Sequence, residues 1–168
     1  MAKTSVDVTA VVLTVLCLCY LANADGQKIG KFFIEGKVYC DPCRVQFQTR
    51  ISEPIDGATV ELACKSRINS TVFNTIQAKT NKDGLYTLLV DEDYADEICE
   101  VKTVSSPRAD CNEHFDDFEK ARVLITYNNG VASNVRYANP LGFMKKEAVP
   151  ECEQVLKELF PEEQTDEQ

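Results

Sequence analysis

Ala58-Thr59-Val60-Glu61-Leu62-Ala63-Cys64-Lys65 is the stretch that decides the fold. Apolar and polar residues alternate through it. Val60, Leu62 and Cys64 fall on one side of an extended chain, and Thr59, Glu61 and Lys65 on the other. Successive side chains of a strand point to opposite faces, so this pattern is that of a strand with one buried face. Upstream, Ser52-Glu53-Pro54-Ile55-Asp56-Gly57 is a turn punctuated by Pro54 and Gly57. Further back, Ile34 to Tyr39 and Val45 to Gln48 also alternate and read as strands. Downstream, Thr71 to Thr80 is rich in Thr, Val, Ile and Phe. Asn81-Lys82-Asp83-Gly84 then reads as a hairpin loop returning into Leu85 to Val90. Ile98 to Val104 and Arg122 to Tyr127 are further strands, and Asn128-Asn129-Gly130 turns the chain into Ala132 to Tyr137.

About seven strands at short spacing, joined by turn residues, predict an all-β sandwich or barrel. The hairpin pattern from Pro54 to Tyr86 resembles that of transthyretin-like modules. One helix is expected near the end. Pro150 suits a first helical turn, and Cys152, Val155, Leu156 and Leu159 share a face. Pro161 stops it, and residues 161–168 form an acidic tail.

Ahead of the strands lies a different kind of segment. Residues 8–21 are almost entirely apolar, Lys3 precedes them, and Ala22-Asn23-Ala24 gives a small-x-small end. The run is short for a membrane span, which takes ~20 apolar residues. It reads as a secretory signal peptide over residues 1–24, cleaved after Ala24, with a single domain over 25–160 and no membrane span. The expected location is the extracellular space. Removing that segment leaves six of the eight cysteines: Cys40, Cys43, Cys64, Cys99, Cys111 and Cys152. An even number on an oxidising route predicts three disulfides, whose pairing the spacing alone leaves among fifteen possibilities. Asn69-Ser70-Thr71 is a complete N-glycosylation sequon, expected in a loop between two strands.

With Lys+Arg 18 against Asp+Glu 27, the formal net charge is −9, which repels phosphate backbones and argues against a nucleic-acid partner. Cys40-Asp41-Pro42-Cys43 has redox spacing, but its strand-like flanks lack the helix N-terminus that lowers a thiol pKa. Cys40, Cys43, Cys111 and His114 could be arranged as zinc ligands, but that would strand an unpaired thiol among the remaining three cysteines. His114 is the one histidine, and the chain holds no nucleophile elbow, Walker loop or dinucleotide fingerprint. The Asp91 to Glu97 cluster lacks the glycine and distal glutamate of an EF-hand loop. No catalytic residue, cofactor or metal site is therefore expected.

The string Glu35-Gly36-Lys37-Val38-Tyr39-Cys40-Asp41-Pro42-Cys43-Arg44 resembles the signature of the plant pollen Ole e I family, the olive major-allergen-like proteins. Cys99-Glu100-Val101, Ser105-Ser106-Pro107, Asp110-Cys111-Asn112 and Asn139 to Glu147 resemble that family too. Position 42 is Pro where Thr is commoner, and the late sequon of some members is absent between Asn128 and Val131. The resemblance implies the pairing Cys40–Cys111, Cys43–Cys152 and Cys64–Cys99. It implies a secreted, non-enzymatic pollen glycoprotein and allergen, acting in pollen hydration, germination or pollen-tube growth. Its expected partner is an extracellular protein, such as a receptor ectodomain, or a cell-wall component. A protease inhibitor is the alternative, with Val104 to Arg108 as its candidate loop. The acidic stretches Asp91 to Glu100 and Glu113 to Glu119 are the expected partner-facing patches.

Overall fold

A computed structural model describes residues 30–115 and 119–161. The segment read as a signal peptide, Asp116 and Asp117, and the acidic tail from Glu162 onward lie outside the described residues. In chain order the strands are β1 (Phe32–Asp41), β2 (Glu53–Pro54), β3 (Thr59–Ser66), β4 (Val72–Lys79) and β5 (Leu85–Val90). Then follow β6 (Glu97–Ser105), β7 (Cys111–His114), β8 (Lys120–Val123), β9 (Val135–Tyr137) and β10 (Leu141–Lys145), before the helix α1 (Cys152–Leu159).

The strands form two sheets packed as an open sandwich. One is four-stranded and antiparallel, in the order β4-β3-β6-β8. The decisive stretch of sequence is its centre, β3, whose buried residues Val60, Leu62 and Cys64 are those of the apolar alternation. Cys64 stands directly opposite Cys99 of β6, and the two are disulfide-bonded with Cα atoms 4.0 Å apart.

The second sheet is organised by the long strand β1. Its first half, Phe32 to Lys37, pairs with β5 antiparallel and, at Phe33 to Glu35, with β9 parallel. Its second half pairs with β2 antiparallel and with β10 parallel, and β10 in turn carries β7. Phe32, Ile34, Leu88, Val90, Leu141 and Phe143 from this sheet meet Val60, Leu62, Val101 and Val123 from the other in one core. Each such side chain contributes about 1.5–3 kcal/mol on leaving water.

The structure departs from the sequence reading at four places. Ten strands form rather than about seven, the additions being short or, like β10, without alternation. Residues 45–48 are not a strand; they lie in an irregular loop in which Arg44 and Gln46 have φ of 58° and 61°. Asn81 to Gly84 closes a tight turn, with Gly84 N donating to Asn81 O at 2.8 Å, yet the flanking strands β4 and β5 belong to different sheets. The turn thus carries the chain across the sandwich. Gly84 sits there with φ +73°, and a Cβ on it would come 2.4 Å from the Val38 carbonyl oxygen, so both conformation and space require glycine. Finally, β8 stops at Val123, and β9 joins the other sheet rather than returning beside β8.

Candidate functional site

The Cys-Asp-Pro-Cys corner ties the sandwich to the helix. Cys40, near the end of β1, is bonded to Cys111 of β7. Cys43 is bonded to Cys152, the first residue of α1. Asp41 between them is fully buried, and both of its oxygens accept backbone hydrogen bonds. Oδ1 takes Cys43 N–H at 2.9 Å and Oδ2 takes Gln46 N–H at 2.7 Å. These charge-assisted bonds hold the loop in its left-handed conformations at Arg44 and Gln46. The motif spacing is therefore structural: its two cysteines belong to two different bridges, and its aspartate folds the loop. Cys40 and Cys111 being bonded to each other also removes the imagined zinc set. His114 Nδ1 lies 3.2 Å from Thr103 Oγ1, and its ring packs on Phe143. Among the described residues, no group of three or more His, Cys, Asp or Glu side chains is placed to hold a metal ion.

Loop and helix then clasp each other. Val149 N–H donates to Pro42 O at 3.1 Å. The Arg50 guanidinium forks onto Glu158 at 2.9 and 3.2 Å, and Phe47 meets Phe160 edge to face. A hollow of about 250 Å³ between Pro42, Ile51, Lys145 and Val149 is left under this clasp.

In the loop considered for protease inhibition, Val104, Ser105 and Pro107 are exposed, while the Arg108 side chain is engaged. Arg108 donates two bonds to Asp110, at 3.1 and 2.7 Å, and a third to Glu53 at 2.6 Å. The guanidinium holds the Asp110 carboxyl at a pKa of about 2, below the usual range.

The two acidic stretches differ. In the second, Glu113 pairs with Arg44 and Glu119 with Lys120. In the first, Glu100 pairs with Lys65, and Asp93 Oδ2 accepts from Thr126 Oγ1 and Tyr127 N. Asp91, Glu92 and Asp96, all exposed, enter no ion pair among the described residues. This turn leaves β5 after Val90 and leads into β6 of the other sheet. The outer face of the β1–β5–β9 sheet ends beside the turn's first residue, Asp91, two positions after Leu89. On that face Phe33 stands opposite Leu89 and Val135, and Glu35 opposite Thr87 and Tyr137. Phe33, Leu85, Leu89 and Tyr137 are all exposed, Tyr137 by 77%. Beside them runs a groove of about 370 Å³ lined by Lys37, Leu85, Thr87, Tyr137 and Pro140. Sequence reasoning missed this face. The available signal was that Phe33, Leu85 and Leu89 break the alternation, placing apolar residues on the side opposite Ile34, Tyr86 and Leu88.

No helix of the described residues is long and apolar enough to cross a membrane. The family model described as pollen protein Ole e 1 like matches residues 30–160. The chain is 46% identical over 153 residues to anther-specific protein LAT52 of Solanum lycopersicum, covering 90% of this chain and 95% of that protein. It is 45% identical over 147 residues to pollen allergen Che a 1 of Chenopodium album, covering 86% of this chain and 88% of that one. The crystal structure of the major plantain pollen allergen Pla l 1 superposes with a TM-score of 0.68 at 34% identity, over 73% of this chain and 100% of that one. On the disulfide-braced sandwich, its sequence and its fold together, the chain belongs to the pollen Ole e 1 like family.

Proposed function

We propose that the protein is a secreted, non-enzymatic pollen protein that binds an extracellular partner during pollen hydration, germination or tube growth, and that it is an allergen. The names of its relatives support the pollen setting: anther-specific, pollen-specific and pollen allergen. The observation that carries the binding reading is the outer sheet face. Phe33, Leu85, Leu89 and Tyr137 are exposed on it, interspersed with Glu35 and Thr87, and the exposed acids Asp91 and Asp96 lie in the segment that follows β5. Exposed aromatic and apolar side chains among polar and charged neighbours are common in protein interfaces. The partner it fits has an apolar patch bordered by Lys or Arg. No observation favours the inhibitor reading, since Arg108 is held by Asp110 and Glu53.

The test is capture of pistil and pollen-wall proteins on the immobilised protein, at low and physiological ionic strength. The double variant Asp91→Asn/Asp96→Asn should retain less partner, and the difference should shrink with salt, because exposed charges are screened beyond ~8 Å at 0.15 M. Tyr137→Ala should weaken capture at both salts. A partner retained equally by all three proteins would overturn the assignment of this face. A turnover measured on cell-wall glycans would overturn the non-enzymatic reading.

A further inference from the structure

The tip of the β3–β4 hairpin is apolar and uncovered. Residues 67–73 are all exposed. Three of them are large apolar side chains: Ile68 at 97% exposure, Val72 at 55% and Phe73 at 58%. Ile68 lies in the turn and Val72 and Phe73 open β4, which is an edge strand of the four-stranded sheet. An edge strand presents unpaired N–H and C=O groups, and proteins blunt such edges with charge, proline, a β-bulge or a covering element. β4 has one bulge, at Phe73, and beyond it Asn74 to Ala78 pairs with β3 in regular register. From Val72 to Ala78, β4 carries neither a charged residue nor a proline; Lys79 comes only at its end. Charge does not guard this edge, yet the hairpin tip holds one further feature. Asn69 lies between Ile68 and Val72, in the sequon Asn69-Ser70-Thr71. The turn is well formed: Ser66 N donates to Thr71 O at 2.9 Å, and Asn69 Oδ1 accepts Thr71 N–H at 3.1 Å, leaving the Asn69 amide nitrogen at the exposed tip.

We infer that Asn69 is an N-glycosylation site whose oligosaccharide covers Ile68, Val72 and Phe73 and keeps the β4 edge from pairing with a second copy of the chain. The inference rests on the secretory reading, since the glycan is attached in the secretory pathway. There Asn69 Nδ2 attacks the anomeric carbon of the first sugar of a diphosphate-linked lipid oligosaccharide. The C–N bond forms, the sugar–oxygen bond to the lipid diphosphate breaks, and the amide nitrogen gives up one proton. Without the sugar, the edge is free to add a strand of a neighbour, with Val72 and Phe73 packing across the new pair.

Three proteins, expressed from the full chain in secreting plant cells, test this. Thr71→Ala destroys the sequon yet keeps Asn69 and its bond to the backbone of residue 71. Thr71→Ser preserves the sequon. In the medium, the wild type and Thr71→Ser should carry a glycan on the Asn69 peptide and run as monomers. Thr71→Ala should carry none, and should form dimers or larger species with rising concentration. Adding Phe73→Lys to Thr71→Ala should return it to monomer. Secreted wild type with Asn69 always at its bare mass would overturn the site. A glycosylated wild type beside a Thr71→Ala protein that stays monomeric would overturn the covering role. A chain that never enters the medium or the secretory lumen would overturn the secretory reading, and the glycan with it.

Discussion

The ring of Tyr86 on β5 lies across Gly36 of β1, its register partner, so closely that a Cβ on residue 36 would come 2.3 Å from the phenolic oxygen. The aromatic ring supplies the packing that a strand glycine cannot, and fills the inner face between Ile34 and Val38. The phenol is 3% exposed, its oxygen has no hydrogen-bond partner among the described residues, and burial pushes its pKa up. Gly36→Ala should therefore overpack the site and cost about 1–3 kcal/mol of stability. Tyr86→Phe should behave differently. It keeps the ring over the glycine and removes only an oxygen whose desolvation nothing repays, so it should be neutral or stabilising. Denaturant unfolding of both variants decides; a Tyr86→Phe loss above about 1.5 kcal/mol would mean the hydroxyl is bonded after all.

Arg136 of β9 is a buried cation, 6% exposed, that faces backbone oxygens. Its nitrogens donate to the carbonyls of Leu124 at 3.1 Å, Thr126 at 2.7 Å, and Ser133 and Val135, and the guanidinium lies 4.9 Å from the Phe32 ring centroid. One side chain thus fixes both ends of the 124–134 connection. Arg136→Met should leave the buried Thr126 carbonyl without its donor and strip three part-buried carbonyls, costing about 2–4 kcal/mol, most of it from the buried one. Arg136→Lys should rescue little, because an ammonium has no planar fork to span the two ends. Hydrogen exchange should show 124–134 opening first in both variants. Uniform protection in Arg136→Lys would defeat the argument.

Asp110 gives a pH signature. Its carboxyl, hydrogen-bonded by Arg108 and also near Lys145, is held at about 2. A carboxyl depressed in the folded state stabilises the fold above its unfolded value, ~3.9, and that contribution fades as pH falls toward 2. The group is half exposed, so solvent screening keeps its share of the stability small. The clean measurement is site-resolved NMR titration. Asp110 should titrate near 2 in the wild type and return toward the ordinary range in Arg108→Ala. An unchanged midpoint in that variant would remove Arg108 as the cause.

Where the strands were legible in the sequence, one face was buried and one was wet. β3 shows this directly, with Val60, Leu62 and Cys64 inward and Thr59, Glu61 and Lys65 outward; β5 alternates in burial but not in polarity, since Leu85 and Leu89 face out. β10 was not legible because Leu141 to Met144 are buried on both sides: Phe143 faces the main core, while Met144 joins Tyr39 and Phe115 in a second cluster. No alternation survives double burial. Val45 to Gln48 misled for the opposite reason. It alternates, but Asp41 captures its backbone locally and bends it out of any sheet. Sheet membership was equally hidden. Asn81 to Gly84 has hairpin chemistry, and only long-range pairing of β4 with β3 and β5 with β1 makes it a crossing. At the candidate site, the acidic turn was visible in sequence, but which acids were already paired depended on partners as distant as Arg44 and Lys65.

The bridge Cys43–Cys152 should separate the stability of the helix from that of the sandwich. α1 has eight residues, too few to persist alone in water, where ~12–15 are marginal. It buries only Cys152 and Val155, and its other ties are the Arg50–Glu158 fork and the Phe47–Phe160 contact, both at the surface. The disulfide is therefore its principal anchor, and the sequence separation of 109 residues makes the constraint on the unfolded chain large. Cys43→Ser/Cys152→Ser should lower global stability by about 2–4 kcal/mol. More specifically, it should expose 42–50 and 150–160 to limited proteolysis under conditions where β1, β3 and β5 remain protected. Cys40–Cys111 joins β1 to β7 inside the sheet, so its removal should instead lower protection across both strands together. Helix and sandwich losing protection at one common denaturant concentration in the Cys43→Ser/Cys152→Ser protein would show that the clasp of Arg50 and Phe47 suffices without the bridge.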